Sequence, residues 1–293
     1  MGTELARAVI NGILGGGIYA LMAVGLTLIF GVLDIINIAQ GVMVVLGAYL
    51  SYALSVHLHL DLFVGLLITI PAMFVIGVII QIAFIRPLHG SERTSMSLLA
   101  SYAVAIIIEG LLYLFFGPNY VTLNAPYVTN SVTLLGFHLP YIDLYGFAMA
   151  VVLVAALYLL LYRTRFGRSV RATMQDRTAA MLIGVDVNKV AALTYGIGVA
   201  VTAAGGMIFG ASGGGFNPNS GYDLISRLLA IVILAGLGSI GGALVASVFM
   251  LTAESIVDIW QPNWSVAVFY AALVIVLLVR PTGLFGRQAA RAQ

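Results

Sequence analysis

The chain has 293 residues, of which 61% are hydrophobic and only 8% charged, with a formal net charge of +2 and a mean hydropathy of +1.09. A soluble domain carries about a quarter charged residues, so a water-soluble fold is excluded, and so small a charge gives no electrostatic basis for binding nucleic acid. The absence of cysteine excludes disulfides, thiolate metal sites and cysteine nucleophiles.

Crossing the hydrocarbon core of a membrane takes roughly 20 apolar residues. Such stretches recur at 8–30, 37–56, 62–85, 94–116, 141–162, 190–212, 224–248 and 264–280. They predict an all-α, polytopic transmembrane helical bundle of about eight segments (7–9), forming one domain over 1–293 embedded in a lipid bilayer. The first stretch carries only Arg7 and has no polar break after Phe30, so it reads as a span and not a signal peptide.

The second stretch opens on the strongest polar interruption of the N-terminal half. Asn37 and Gln40 stand three apart, on one helical face, directly before Gly41 and just after Asp34. Polar groups inside apolar spans are costly and mark function, so Asn37, Gln40 and Gly41 are candidate lining of a solute pathway. The alternative is that Asn37 and Gln40 cap or bridge helices. Glu109 lies inside the fourth stretch, and Glu254 and Asp258 precede the last. They form no relay-like series and read as structural, paired with Arg227 or with helix ends.

Further along, Gly198, Thr202, Gly206, Gly210 and Gly214 repeat every four residues and lay small side chains along one helical stripe, a pattern for close helix packing in lipid. Asn217-Pro218 signals a turn. The run Gly236-Leu237-Gly238-Ser239-Ile240-Gly241-Gly242 predicts a broken or re-entrant element near 236–242. Irregular backbone survives at membrane depth only inside protein or beside a wet cavity, which adds Gly236, Gly238 and Ser239 to the candidate pathway.

Eleven of the thirteen basic residues fall in three places: Arg86 and Arg93; Arg163, Arg165, Arg168, Arg171, Arg177 and Lys189; and Arg280, Arg287 and Arg291. Basic residues concentrate in cytoplasmic loops. The loops at 57–61, 117–140 and 213–223 have none and are expected outside, with the C-terminus cytoplasmic and the N-terminus external.

The loop at about 163–189 is the one polar island. Its second half has helix punctuation: Asp176 to cap the first turn, two turns over 177–183, and Gly184 as a stop. Thr178, Ala179, Ala180 and Met181 offer small or flexible side chains suited to a partner's groove; the alternative is an amphipathic turn on the membrane surface.

This passage resembles the permease subunits of ABC importers of the branched-chain amino acid class, in Arg171-Ala172, Asp176, Ala179-Ala180, Leu182-Ile183-Gly184, Leu193-Thr194-Tyr195, Ile197-Gly198 and Ala203-Ala204-Gly205. Similar to the same family are Gly25-Leu26-Thr27-Leu28-Ile29-Phe30-Gly31-Val32-Leu33 running into Ile36-Asn37-Ile38-Ala39-Gln40-Gly41, the break at 234–243, and Arg280-Pro281-Thr282-Gly283-Leu284-Phe285-Gly286. Ala179-Ala180 followed by Gly184 is also similar to the EAA-xxx-G signature of importer permeases, with Thr178 in place of its Glu.

The resemblance implies a non-enzymatic permease subunit of the bacterial-type inner membrane that passes branched-chain or other small neutral amino acids. It implies as partners a second homologous permease, two ATPase subunits and an external solute-binding protein. Asp176, Arg177, Thr178, Ala179, Ala180, Met181, Leu182 and Gly184 would form the helix that couples to the ATPase. A P-loop needs GxxxxGK[ST], and the only lysine, Lys189, follows Asn188. ATP and Mg therefore belong to the partner subunits, and this chain has no cofactor of its own. His57, His59, His89 and His138 have no metal-ligand spacing. Two rival readings are an ion-coupled secondary transporter, and the same importer family carrying urea or short amides.

Overall fold

Without water to bond them, backbone amides in hydrocarbon must pair within the segment, and helices follow. The computed structural model describes residues 2–88, 93–134, 137–212 and 215–286, so His89, Gly214, Arg287 and Arg291 lie outside the described residues. The helices are α1 (Gly2–Leu33), α2 (Gln40–Leu58), α3 (Leu62–Ile80, continued by a π-helical turn Gln81–Ile85), α4 (Arg93–Phe116) and the single turn α5 (Pro126–Thr129). After the hairpin β1 (Ser131–Leu134) and β2 (Phe137–Pro140) come α6 (Tyr141–Arg163), α7 (Arg165–Gln175), α8 (Arg177–Leu182) and α9 (Val187–Ser212). The chain then closes with α10 (Ser220–Ala235), α11 (Ile240–Trp260) and α12 (Pro262–Val279).

Among the described residues eight helices are long and apolar enough to cross a membrane: α1, α2, α3 with its π turn, α4, α6, α9, α11 and α12. The expected span at 224–248 needs correction, because it straddles two helices. The chain turns at 236–239, where Gly236 and Gly238 take φ of +93° and +82°, conformations that favour glycine. α10 has only 16 residues, and the full-length span is α11. Glu254 and Asp258 accordingly lie inside α11, ahead of the last span.

Two helices form the hub. Of the spanning windows of α1 and α9, 78% is buried, against 11% for α12, which leaves α12 at the periphery. α1 packs on α11 through Gly12 and Gly16, which lie against the backbone of Thr252 and Val248. The small-residue stripe of α9 is internal packing: Gly198 meets Ile29 and the Gly25 carbonyl, Thr202 meets Gly25, and Gly206 meets the Val44 carbonyl of α2.

The bundle has two distinct ends. At one, Gly31 near the close of α1 lies against Met174 of α7 and Gly238 of the α10–α11 turn. Residues 284 and 285 bind the same turn: Leu284 N donates to the Leu234 carbonyl (2.7 Å) and Phe285 N to the Ala235 carbonyl (3.0 Å). These are carbonyls that the last turn of a helix leaves without intrahelical partners. At the opposite end Val121 bridges Phe216, and Tyr127 OH donates to Asp61 Oδ2 at 2.7 Å. Burial first and the Asp61 carboxylate second push the Tyr127 phenol well above its ordinary range.

A side chain at Gly206 has nowhere to go but into the Val44 backbone, whereas Gly110 on α4 has open space around it. Gly206→Val is therefore expected to abolish monodisperse protein in detergent, and Gly110→Val to leave the thermal midpoint unchanged, as read by fluorescence-detected size exclusion after heating.

Candidate transport pathway and coupling helix

α1 stops at Leu33 because Asp34 turns into the left-handed region, φ +55°. Residues 34–39 are then irregular backbone, with Ile35, Asn37 and Ala39 fully buried. One backbone amide of the segment is bonded by a side chain, and a run of side-chain bonds ties the segment to α9. Ile38 N donates to Ser101 Oγ of α4 (3.2 Å), Asn37 Nδ2 to Gln40 Oε1 (2.9 Å), Gln40 Nε2 to Thr202 Oγ1 of α9 (2.5 Å), and Thr202 Oγ1 to the Gly198 carbonyl (2.8 Å). Asn37 and Gln40 are both 0% exposed. In this arrangement they bridge helices in the interior, and Gly41 beside them packs against Gly221 and Ile225 of α10.

The other three candidate pathway residues sit elsewhere. Gly238 and Ser239 line a cleft of about 1030 Å³ formed by the end of α1, the end of α6, α7 and the α10–α11 turn. Ser239 Oγ also accepts from Gly242 N (3.1 Å) and caps α11. Gly236 lies behind the turn, against Gly286. The cleft also takes in Asp34, Arg171 and Arg177, and sequence reasoning assigned Asp34 and Arg171 no specific part in it.

Two of the carboxylates inside spanning helices have side-chain partners. Arg227 of α10 holds Glu254 of α11 with both guanidinium arms (Nη1 to Oε2, 2.7 Å; Nη2 to Oε1, 2.9 Å) and lies 5.3 Å from the Phe269 ring centre. Glu109 of α4 accepts from Tyr222 OH at 2.6 Å, so Arg227 serves Glu254 and not Glu109.

The polar island holds two helices where sequence reasoning gave one. The first, α7, was missed. Its signals were Thr164, whose hydroxyl accepts from Gly167 N (3.0 Å), and the four-residue spacing of Phe166, Val170 and Met174. α8 is bounded as expected. Asp176 Oδ1 accepts from Thr178 N (2.8 Å) and Ala179 N (2.9 Å). At its other end Val185 N donates to the Ala180 carbonyl and Gly184 N to the Met181 carbonyl, with Gly184 at φ +86°, which is the Schellman pattern. One feature needs correction: Ala180 is turned inward, 2% exposed, whereas Met181, Leu182 and Ile183 are 52%, 84% and 76% exposed. The outer surface of α8 is larger and more apolar than the Thr178–Met181 run suggests.

A family model described as branched-chain amino acid transport system / permease component matches residues 8–277. The chain is similar to the high-affinity branched-chain amino acid transport system permease protein BraD of Pseudomonas aeruginosa, 27% identical over 96% of this chain and 95% of that one. It is similar also to the permease proteins LivH of the corresponding systems of Salmonella typhimurium (28% identical) and Escherichia coli K12 (30% identical), each over 94% of both chains. No solved structure matches it.

Removing one member of a buried ion pair leaves the other uncompensated, at a cost of about 3–5 kcal/mol, while replacing both by apolar groups is often neutral. Arg227→Met alone should sharply lower the thermal midpoint in detergent, and Arg227→Met with Glu254→Leu should recover most of it. Equal midpoints for the single and double variants would show that the pair carries no coupling.

Proposed function

The chain belongs to the branched-chain amino acid transport system permease family, and from that premise we propose that it passes branched-chain or other small neutral amino acids, driven by ATPase subunits that dock on α8. The observation that carries this reading is the pairing of rigidity with exposure on α8. A six-residue helix is unstable alone in water, yet this one is capped at both ends and presents Met181, Leu182 and Ile183 outward. An apolar helical surface of that kind suits a partner's groove.

On this reading the end bearing α7 and α8 is cytoplasmic and the end bearing β1, β2 and α5 is external, where residues 117–140 meet a solute-binding protein. A second, related permease and two ATPase subunits, which carry ATP and Mg, complete the machine. Closure of the ATPases pulls α8. Motion then passes through α7, whose Met174 lies against Gly31, to the end of α1 and the 34–39 segment, where Asn37 and Gln40 bridge to α9. Gly238 on the α10–α11 turn packs on the same Gly31, so both broken elements move together. Asn37, Gln40, Gly41, Gly236, Gly238 and Ser239 thus act as the moving parts of the pathway.

Leu182→Glu and Ile183→Glu place a charge on the docking surface and leave Asp176 and Gly184 in place. With expression unchanged, each should cut ATP-driven leucine uptake at least about tenfold and strip the ATPase subunits from the purified complex. Asn188→Glu, exposed beyond α8, should do neither. Full uptake by the Leu182→Glu and Ile183→Glu variants would count against docking at α8, and uptake by this chain alone in liposomes would favour a secondary transporter.

A further inference from the structure

The cleft at the α7 end has the size of a small-molecule site, about 300–1,000 Å³, and an unusual lining. Its charged groups are one carboxylate, Asp34, and two guanidiniums, Arg171 and Arg177, and its apolar lining includes Leu161 of α6, Ile233 of α10 and Leu244 of α11. Asp34 stands one turn beyond Gly31 and Arg171 one turn before Met174, and Gly31 and Met174 touch. Residues of opposite charge, the exposed Asp34 and the partly buried Arg171, thus stand three positions in sequence from the two partners of one contact and line the same cleft. They do not neutralise each other: the Asp34 carboxylate makes neither hydrogen bond nor ion pair among the described residues, and the Arg171 guanidinium lies over the Tyr162 ring at 4.7 Å. Asp34 also closes α1 in a left-handed backbone conformation, φ +55°.

We propose that this cleft binds a neutral amino acid in zwitterionic form, the ammonium group on Asp34, the carboxylate on Arg171 and an aliphatic side chain against the apolar lining that includes Leu161, Ile233 and Leu244. The substrate class rests on the transport reading above. A ligand held there ties α1 to α7 beside the α10–α11 turn, the elements whose relative motion that reading requires. A ligand that prefers one arrangement shifts the population toward it. Amino acid accumulating on the α7 side therefore slows further uptake, a brake built into the permease itself.

The test uses the intact importer in nanodiscs without its binding protein, and three radiolabelled ligands: L-leucine, leucinamide, which lacks the carboxylate, and 4-methylpentanoate, which lacks the ammonium group. Each analogue is expected to bind at least about tenfold more weakly than leucine, the worth of one charge-assisted hydrogen bond. Asp34→Asn should erase the advantage over 4-methylpentanoate, and Arg171→Gln the advantage over leucinamide. Should Arg171→Gln fail to fold, Asp34→Asn still decides. Equal binding of the three ligands, no binding, or an anionic phospholipid that leucine does not displace overturns the proposal. Leucine uptake, measured in parallel with the binding protein present, keeps the two readings apart. Uptake without cleft binding removes the brake and leaves the transporter, and absence of uptake of any neutral amino acid removes the transport reading on which the substrate class rests.

Discussion

In hydrocarbon no solvent satisfies a backbone amide or carbonyl, and an unmade hydrogen bond costs several kcal/mol. Among the described residues the chain leaves the helical conformation at 34–39 and at 236–239, and each departure is bonded by side chains of the segment itself together with groups beyond it. At the first, Ser101 takes a backbone amide while Asn37 and Gln40 reach Thr202. At the second, Ser239 caps α11 and two amides near residue 284 serve the last carbonyls of α10. The close packing of α1, α9 and α11 through small residues holds these bonds in register.

Much of the fold was legible because the hydrocarbon permits so few alternatives. Six of the apolar stretches coincide with helices to within three residues and a seventh lies inside the longer α1, and the described part of the glycine stripe of α9 packs as its spacing implied. The failure at 224–248 has a clear cause. Average hydropathy carries across Gly236 and Gly238, whereas the pairing of Glu254 with Arg227, offered as one of two alternatives, is the one the structure makes. Hairpin β1–β2 was missed because four-residue strands leave too short an alternation to read.

The candidate site was legible in its residues and not in its grouping. Asn37 and Gln40 were visible as polar intruders, but that they end on Thr202, 162 positions on from Gln40, is a fact of tertiary structure. Gly238 and Ser239 were chosen beside them and belong to a different place, the cleft with Asp34 and Arg171. In α8 the caps were read correctly from Asp176 and Gly184, because capping is local. The direction of Ala180 depends on what lies beneath the helix, which no local rule contains.

The bonding of α10 by residues 284 and 285 also has a consequence in time. Leu234 and Ala235 are synthesised fifty positions (284 − 234) ahead of the amides that serve them. At roughly 5–20 residues per second of translation, those carbonyls stay without their final partners for some seconds while α11 and α12 emerge. The α10–α11 turn is thus among the last features to acquire its full bonding, and a chain ending directly after α12 would lack the two amides that serve the end of α10.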